Sequence, residues 1–312
     1  MRREGSALHG LGVVVLKELT DHLTSARMRV LEWLVVLTAL AAVYAAITQI
    51  RDVTAQDPFL FLRVFTTARD PLPSFVSFLG FLAPLMAIGL GFDAINSEHN
   101  RHTLSRILSQ PIYRDALLFG KFIAGLCVLT ISFIALWLLV IGLGLIMLGV
   151  PPGGEEMLRA LIFLGVTVAY AGVWLALAML FSIIFRSAAT AVLVTLGIWL
   201  FFSVIWPALA PAIAQAFVSP DNQVAQITVA QNLARLSPST LFGETVLAIL
   251  HPTTRTLGPV YLDQLQGAVM GSPLSLGESV MVAWPQIVGM IAASILLFVA
   301  GYVVFQRQEV RA

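Results

Sequence analysis

The chain has 312 residues, of which 58% are hydrophobic and only 11% charged, and its formal net charge is +1 at pH 7. A soluble globular chain carries about 45–50% apolar and about 25% charged residues, so this much apolar surface cannot be hidden in one water-soluble core. The net charge gives no sign of a nucleic-acid partner, and the single cysteine, Cys127, excludes an intrachain disulfide. The composition therefore predicts an integral membrane protein.

The first segment, residues 1–29, is predicted not to be a cleavable signal peptide. Its apolar stretch Leu11–Leu16 is short and runs directly into Lys17, Glu18 and Asp21. Apolar residues recur at helical spacing instead, at Leu8, Leu11, Val15, Leu19 and Leu23. This pattern predicts an amphipathic helix on the membrane surface. A solvated helix in a cytoplasmic tail is the alternative.

Six stretches are long and apolar enough to cross a membrane, for which a helix needs about 20 predominantly apolar residues. They predict an all-α protein whose residues 30–312 form one transmembrane domain. The spans are expected at about 30–50, 74–95, 116–150, 158–185, 188–206 and 283–306. The third stretch is too long for a single upright span, so it is expected to tilt or to extend beyond the bilayer.

The distribution of Lys and Arg predicts which side of the cell membrane the loops occupy. Of the 18 Lys and Arg residues, 12 fall on the side of both termini and 6 on the other side. Because short cytoplasmic loops are enriched in Lys and Arg, both termini are expected to be cytoplasmic.

The largest segment outside the spans is 207–282, which is expected to be extracytoplasmic and ordered. Ser237-Pro238 predicts a helix start, because serine can cap free N–H groups and proline fits the first helical position. Val224–Leu236 is a second candidate helix. We expect these helices to pack on the outer ends of the spans, where they gate the outer mouth or dock an extracytoplasmic protein.

A search for nucleotide-binding chemistry finds none in this chain. Gly120-Lys121 superficially resembles the end of a phosphate-binding loop, but that loop needs Gly five residues earlier and Ser or Thr after the lysine. Asp115 and Phe122 stand at those positions. The chain is therefore expected not to bind ATP in this way.

Metal and enzyme signatures are equally weak. Glu98, His99 and His102 lie close in sequence, but a third strong metal ligand is not evident, so solvated polar residues are the favoured interpretation. Glu32, Asp93 and Lys121 lie near the predicted cytoplasmic ends of the spans, and the mid-membrane stretches hold only neutral polar groups. We expect no cofactor or metal bound by this chain and no enzymatic activity. Energy for any transport is expected to come from another subunit.

The polar segment 96–110, between the second and third spans, predicts a short cytoplasmic helix. Leu104, Ile107 and Leu108 share one of its faces, Pro111 ends it, and Arg114 starts the return to the membrane. A short helix held between two spans can transmit a push from a docked partner.

This segment resembles the ABC-2 type permeases, the membrane subunits of ATP-driven ABC transporters. Their pattern is an Asp-x-Ile-x-x-Glu opening, a Gly-Thr-Leu, a Leu-Leu-Ser-x-Pro stretch, an Arg and a Gly-Lys entering the third span. The matching residues are Asp93, Ile95, Glu98, Thr103, Leu104, Leu108, Ser109, Pro111, Arg114, Gly120 and Lys121. His102 replaces the usual Gly and Ile107 the first Leu. Within the family, the chain looks nearest to permeases for copper-enzyme maturation, such as the nitrous oxide reductase maturation group.

The resemblance implies a homodimer, or a dimer with a similar permease, bound to two copies of an ABC ATPase that hold ATP and Mg. The segment 96–110 is then the coupling helix that enters a groove on the ATPase. Its coupling residues are Glu98, Thr103, Leu104, Leu108, Pro111 and Arg114. Two other classes stay open: a membrane scaffold or mechanotransmission subunit for maturation of an extracytoplasmic enzyme, and an intramembrane enzyme.

Overall fold

A computed structural model describes residues 10–51, 59–100, 114–257 and 273–307. No β-strand occurs in these ranges, and six of their helices are long and apolar enough to cross a membrane. The spans are Ala26–Ile50, Phe75–Glu98, Arg114–Leu148, Gly154–Ile184, Ala188–Phe217 and Leu276–Arg307. The prediction of an all-α, six-span membrane protein is confirmed.

The first half of the chain contributes an N-terminal helix and the first three spans. The helices are α1 (Leu11–Thr24), α2 (Ala26–Arg51), α3 (Arg63–Thr66), α4 (Phe75–Gly91), α5 (Asn96–Asn100) and α6 (Arg114–Leu148). A 3₁₀ turn, Leu60–Leu62, precedes α3. We call the side of the membrane on which α1 lies the N-terminal face, and the other side the opposite face.

The second half contributes the remaining spans and two shorter helices. They are α7 (Gly154–Ile184), α8 (Ala188–Leu200), α9 (Trp206–Phe217), α10 (Gln223–Ala234), α11 (Pro238–Leu250) and α12 (Leu276–Arg307). A π-helical turn, Phe201–Ile205, joins α8 and α9 into the fifth span. The fourth span, α7, lies at the centre of the fold, since 67% of its most apolar stretch is buried, against 17% for the fifth and sixth spans.

The fifth span is longer than its apolar pattern predicts. The sequence places its end at Trp206, before Pro207, whereas the helix continues to Phe217. In the π-helical turn the Trp206 N–H bonds to the Phe201 carbonyl, five residues back. Pro207 has no N–H for the next carbonyl, that of Phe202, which instead accepts the Ser237 hydroxyl at 2.8 Å. Because the Ser237 hydroxyl bonds to the carbonyl that Pro207 leaves free, the helix of the fifth span continues beyond this proline.

The helices α10 and α11 also differ in position from the expectation that they pack on the ends of the spans. The Ser239 hydroxyl lies 2.8 Å from that of Ser203 and 3.0 Å from that of Tyr170. Tyr170 is about 24 Å along the fourth span from Gly154. The turn between α10 and α11 therefore reaches deep between the spans, and α11 returns from there towards the opposite face.

We predict that replacing Ser237 with alanine loosens this turn. Ser237 is fully buried, so the variant leaves the Phe202 carbonyl without its hydroxyl partner, which costs about 1–3 kcal/mol. Amide hydrogen exchange in α11 should become faster. The matched control is Thr228→Ala, whose hydroxyl bonds only within its own exposed helix turn and whose loss should leave exchange unchanged. Equal exchange in the Ser237 variant and the parent would contradict the assignment.

Candidate coupling site

The structure describes two of the six predicted coupling residues. Glu98 lies in α5, at the end of the second span, and Arg114 is the first residue of α6. The other four, Thr103, Leu104, Leu108 and Pro111, lie outside the described residues.

Glu98 directs its carboxylate into the protein rather than towards water. Its side chain is only 11% exposed, and a carboxylate oxygen lies 2.8 Å from the ammonium nitrogen of Lys121. Lys121, in the third span, is 5% exposed and also lies 3.0 Å from a carboxylate oxygen of Glu18 in α1. We call Glu18, Glu98 and Lys121 the coupling cluster.

Close packing of α1 on the third span brings Glu18 within reach of Lys121. At Gly120, a Cβ atom would lie 2.6 Å from Cγ1 of Val14, so only glycine permits this approach. Val14 and Glu18 are four residues apart and share one face of α1, and both are buried. The Gly120-Lys121 pair thus has two roles: the glycine admits the helix and the lysine binds its carboxylate.

The charges of the coupling cluster are balanced by a neighbour. One ammonium between two carboxylates leaves a net charge of −1, and Lys17 lies 2.8 Å from Glu18. Burial opposes the ionisation of Glu18, but the charges and hydrogen bonds of Lys121 and Lys17 outweigh it and lower its pKa below the usual value of 4.5. Glu18 is therefore ionised at neutral pH, which keeps α1 bound to Lys121.

The backbone at the start of α5 is fixed by the fourth span and the connection that follows it. The N–H groups of Ile95 and Asn96 donate to the Ser182 hydroxyl at 2.9 and 3.3 Å. The Asn100 side-chain amide donates to the Arg186 carbonyl at 2.9 Å. Polar contacts therefore join this segment to the third and fourth spans and, through Lys121, to α1.

A second ion pair joins the first two spans on the same face. Arg27 of the first span lies 2.8 Å from Asp93 of the second, and its guanidinium stacks 4.9 Å from the centre of the Phe92 ring. Asp93 is the first residue of the family pattern, so two of that pattern's acidic residues make ion pairs between helices.

Sequence reasoning missed the partners of Lys121. A lysine inside an apolar span requires a carboxylate, and Glu18 and Glu98 are acidic residues of the two segments expected on the same side. The need of an intramembrane lysine for a nearby carboxylate is enough to infer the pairing of Lys121 with Glu98. The pairing with Glu18 depends on how α1 lies against the third span, which the helical period alone does not show.

A second buried charge lies at the opposite face. Arg159, in the first turns of the fourth span, is 0% exposed. Its guanidinium lies 2.7 Å from Glu155 and donates to the Ile249 carbonyl at 2.9 Å, the Ser279 hydroxyl at 3.0 Å and the Leu274 carbonyl at 2.6 Å. It thereby joins the fourth span, the end of α11 and the start of the sixth span.

The contacts described above join helices to one another. Within the described ranges, no three His, Cys, Asp or Glu side chains are grouped so that they could hold a metal ion. The side chains of His99 and His102 lie outside the described part of the chain.

Comparison with known proteins identifies the family. The family model described as ABC-2 family transporter protein matches residues 13–310. The "Probable ABC transporter permease protein NosY" of Pseudomonas aeruginosa is 30% identical over 165 residues, covering 50% of this chain and 58% of that protein. The protein of the same name from Stutzerimonas stutzeri is 27% identical over 200 residues, covering 62% of this chain and 66% of that protein.

The matched part spans less than two thirds of the length of either relative. The family match, in contrast, covers nearly the whole chain and agrees with the six apolar spans and the all-α fold. This family consists of transporter permeases rather than enzymes. The chain is a multi-pass membrane protein that belongs to the ABC-2 family of transporters.

Proposed function

We propose that the chain is the membrane-spanning permease subunit of an ATP-driven ABC transporter. It works as a homodimer, or as a dimer with a similar chain, together with two copies of a separate ATPase subunit that binds ATP and Mg. The observation that carries this proposal is the coupling cluster, which connects the start of the segment 96–110 to α1 and the third span through Lys121. In this chain Asp115 and Phe122 occupy the positions where a phosphate-binding loop needs Gly and Ser or Thr. Their presence supports placing the ATP site on the partner subunit.

The N-terminal face is the cytoplasmic one in this proposal. The excess of Lys and Arg on the side of both termini supports it. The ATPase then docks at the segment that follows α5, where Thr103, Leu104, Leu108 and Pro111 supply the contact surface. Arg114 starts the third span beside it.

Coupling follows from the buried ion pairs. ATP closes the two ATPase subunits and displaces the coupling segment. Lys121 holds Glu98 and Glu18 at 2.8 and 3.0 Å, so α1 and the third span move with that segment. ATP can drive this movement only if the ATPase binds one conformation of the permease better than the other.

At the opposite face, the segment 207–282 gates the substrate path or docks an extracytoplasmic protein. The deep turn between α10 and α11 supports the gating role, because its hydroxyl contacts to Ser203 and Tyr170 connect it to the fifth and fourth spans. Movement of either span then moves the turn.

The docking surface is tested by replacing Leu104 and Leu108 together with aspartate. Each fully buried leucine contributes about 1.5–3 kcal/mol through its apolar area, and the two new carboxylates lie unpaired in the ATPase groove. We expect the variant to insert and dimerise like the parent but to lose co-purification with the ATPase in detergent.

The control for this experiment is Val150→Asp, which places one carboxylate at an exposed turn on the opposite face and should leave co-purification unchanged. If the double variant co-purifies as well as the parent does, the segment only links two spans. The scaffold function would then be preferred to the transporter function.

A further inference from the structure

A carboxylate within the first span has a serine as its partner. Glu32 lies about 7.5 Å further along its helix than Arg27, whose pair with Asp93 marks the N-terminal face. It accepts a hydrogen bond from the Ser132 hydroxyl at 3.2 Å. Ser132 is about 16 Å beyond Lys121 along the third span. Among the described residues, no Lys, Arg or His lies within ion-pair distance of Glu32.

Such a carboxylate needs a physical explanation. Ionisable residues within the membrane are costly, and they normally pair with an opposite charge or line a path for a ligand or ion. The buried acidic residues of the coupling cluster follow the first pattern, because each has a lysine within 3.0 Å. Glu32 does not, although it belongs to the same face of the protein.

Glu32 and Ser132 lie at one end of a cavity of about 230 Å³ between the first and third spans. The remainder of its wall is apolar. It is formed by Val35, Val36, Met86, Ile131, Ala135, Leu136 and Leu139. Leu139 lies about 10 Å beyond Ser132 along the third span, so the apolar part extends away from the carboxylate towards the membrane centre.

The cavity opens on an apolar surface of the protein. Ile131, which lines the cavity, is itself an exposed large hydrophobic residue. Trp33, Leu34 and Leu37, which are adjacent in sequence to lining residues of the first span, are exposed large hydrophobic residues as well. A molecule dissolved in the bilayer therefore reaches Glu32 sideways, without passing through the protein. One polar end and a long apolar wall match an amphiphile in shape, and the negative carboxylate matches a positive head group.

We propose that this groove binds a membrane-dissolved amphiphile that carries a protonated primary amine. The ammonium donates hydrogen bonds to the Glu32 carboxylate and to the Ser132 hydroxyl oxygen, while the tail packs on Val36, Leu136 and Leu139. Charge-assisted hydrogen bonds of this kind are short and strong, and a quaternary ammonium has no N–H with which to form them. The site goes beyond the proposed function, because binding here requires neither the ATPase nor transport.

The test uses the full-length chain in phosphatidylcholine nanodiscs and a dodecylamine that carries a photoreactive diazirine on its tail. After irradiation, labelled residues are mapped by mass spectrometry. We expect labels on residues 35–36 and 131–139, and we expect unlabelled dodecylamine to compete. Dodecyltrimethylammonium, dodecanol and dodecanoate carry the same tail without the ammonium N–H donors and should compete at least about tenfold more weakly.

Two substitutions identify the residues responsible. Glu32→Gln keeps the size of the side chain and should reduce labelling about tenfold, while Ser132→Ala should cause a smaller reduction. The matched control is Asp221→Asn, an exposed carboxylate at the turn before α10. It should label like the parent, and each variant should elute as the same single species.

Three results would overturn the proposal. The first is equal labelling of the Glu32→Gln variant and the parent, which would show that the Glu32 carboxylate does not bind the ammonium. The second is equal competition by dodecanol, which would show that the tail alone binds. The third is no labelling of either range in the parent, as expected if a second copy of the chain covers the groove.

Discussion

Replacing Lys121 with methionine should release α1 from the third span and abolish coupling. The variant leaves the buried carboxylates of Glu18 and Glu98 without the ammonium between them. Removing one partner of a buried ion pair costs about 3–5 kcal/mol, since the remaining charge is uncompensated. We therefore expect the purified protein to unfold at a lower temperature and trypsin to cleave after Lys17 more rapidly.

Two further variants separate this effect from a general loss of charge. Lys17→Met removes a lysine that is 57% exposed and also pairs with Glu18, and it should cost less than about 1 kcal/mol. The triple variant Lys121→Met, Glu18→Met and Glu98→Met replaces all charges of the coupling cluster together by apolar side chains of similar size. It should regain much of the lost stability, because replacing an entire buried ion pair is often nearly neutral. If Lys121→Met behaves like Lys17→Met, the coupling cluster does not hold α1.

Replacing Arg159 with methionine should detach α11 from the fourth and sixth spans. The variant leaves the Ile249 and Leu274 carbonyls and the Ser279 hydroxyl without their shared donor. Each buried polar group left without a partner costs about 1–3 kcal/mol. Amide exchange in α11 and in the first turns of α12 should accelerate by about 100-fold or more, while exchange in the third span should stay close to that of the parent.

The conservative variant makes this test specific. Arg159→Lys keeps the charge, but one ammonium cannot reach all four partners that the planar guanidinium holds, so it should restore only part of the protection. Arg69→Gln changes an exposed arginine on the same face and should leave the exchange of α11 unchanged. Parent-like exchange in Arg159→Met would show that the end of α11 is held by apolar packing alone.

The number and type of the membrane helices could be predicted from composition and apolar length, whereas several of their ends could not. The first span begins at Ala26 rather than near residue 30, because Ser25 accepts the Met28 N–H at 3.1 Å and lets the helix start among charged residues. The sixth span begins at Leu276, where Ser275 and Glu278 cap each other's N–H groups. That Ser-x-x-Glu pattern is visible in the sequence and could have been used.

Some residues of the candidate site could likewise be predicted from the sequence, whereas others could not. A residue pattern between the second and third spans is enough to select Glu98 and the Gly120-Lys121 pair. The side chain that completes the coupling cluster comes from Glu18, about 80 residues earlier than Glu98 in the chain. Such long-range contacts depend on how the helices pack, which neither hydrophobic period nor charge counting encodes.

In the proposed mechanism, ATP binding by a partner moves the spans of this chain. The most direct measurement uses the complete complex, with Cys127 replaced by serine, Ser203 replaced by cysteine, and a hydrolysis-deficient ATPase. An impermeant thiol reagent is added at the opposite face with and without ATP. We expect ATP to change the labelling rate of position 203 by about fivefold or more, which is the lower end of typical allosteric coupling factors. In the Lys121→Met background, ATP should leave this rate unchanged. An equal rate with and without ATP, while the ATPase stays bound, would show that ATP does not move the fifth span.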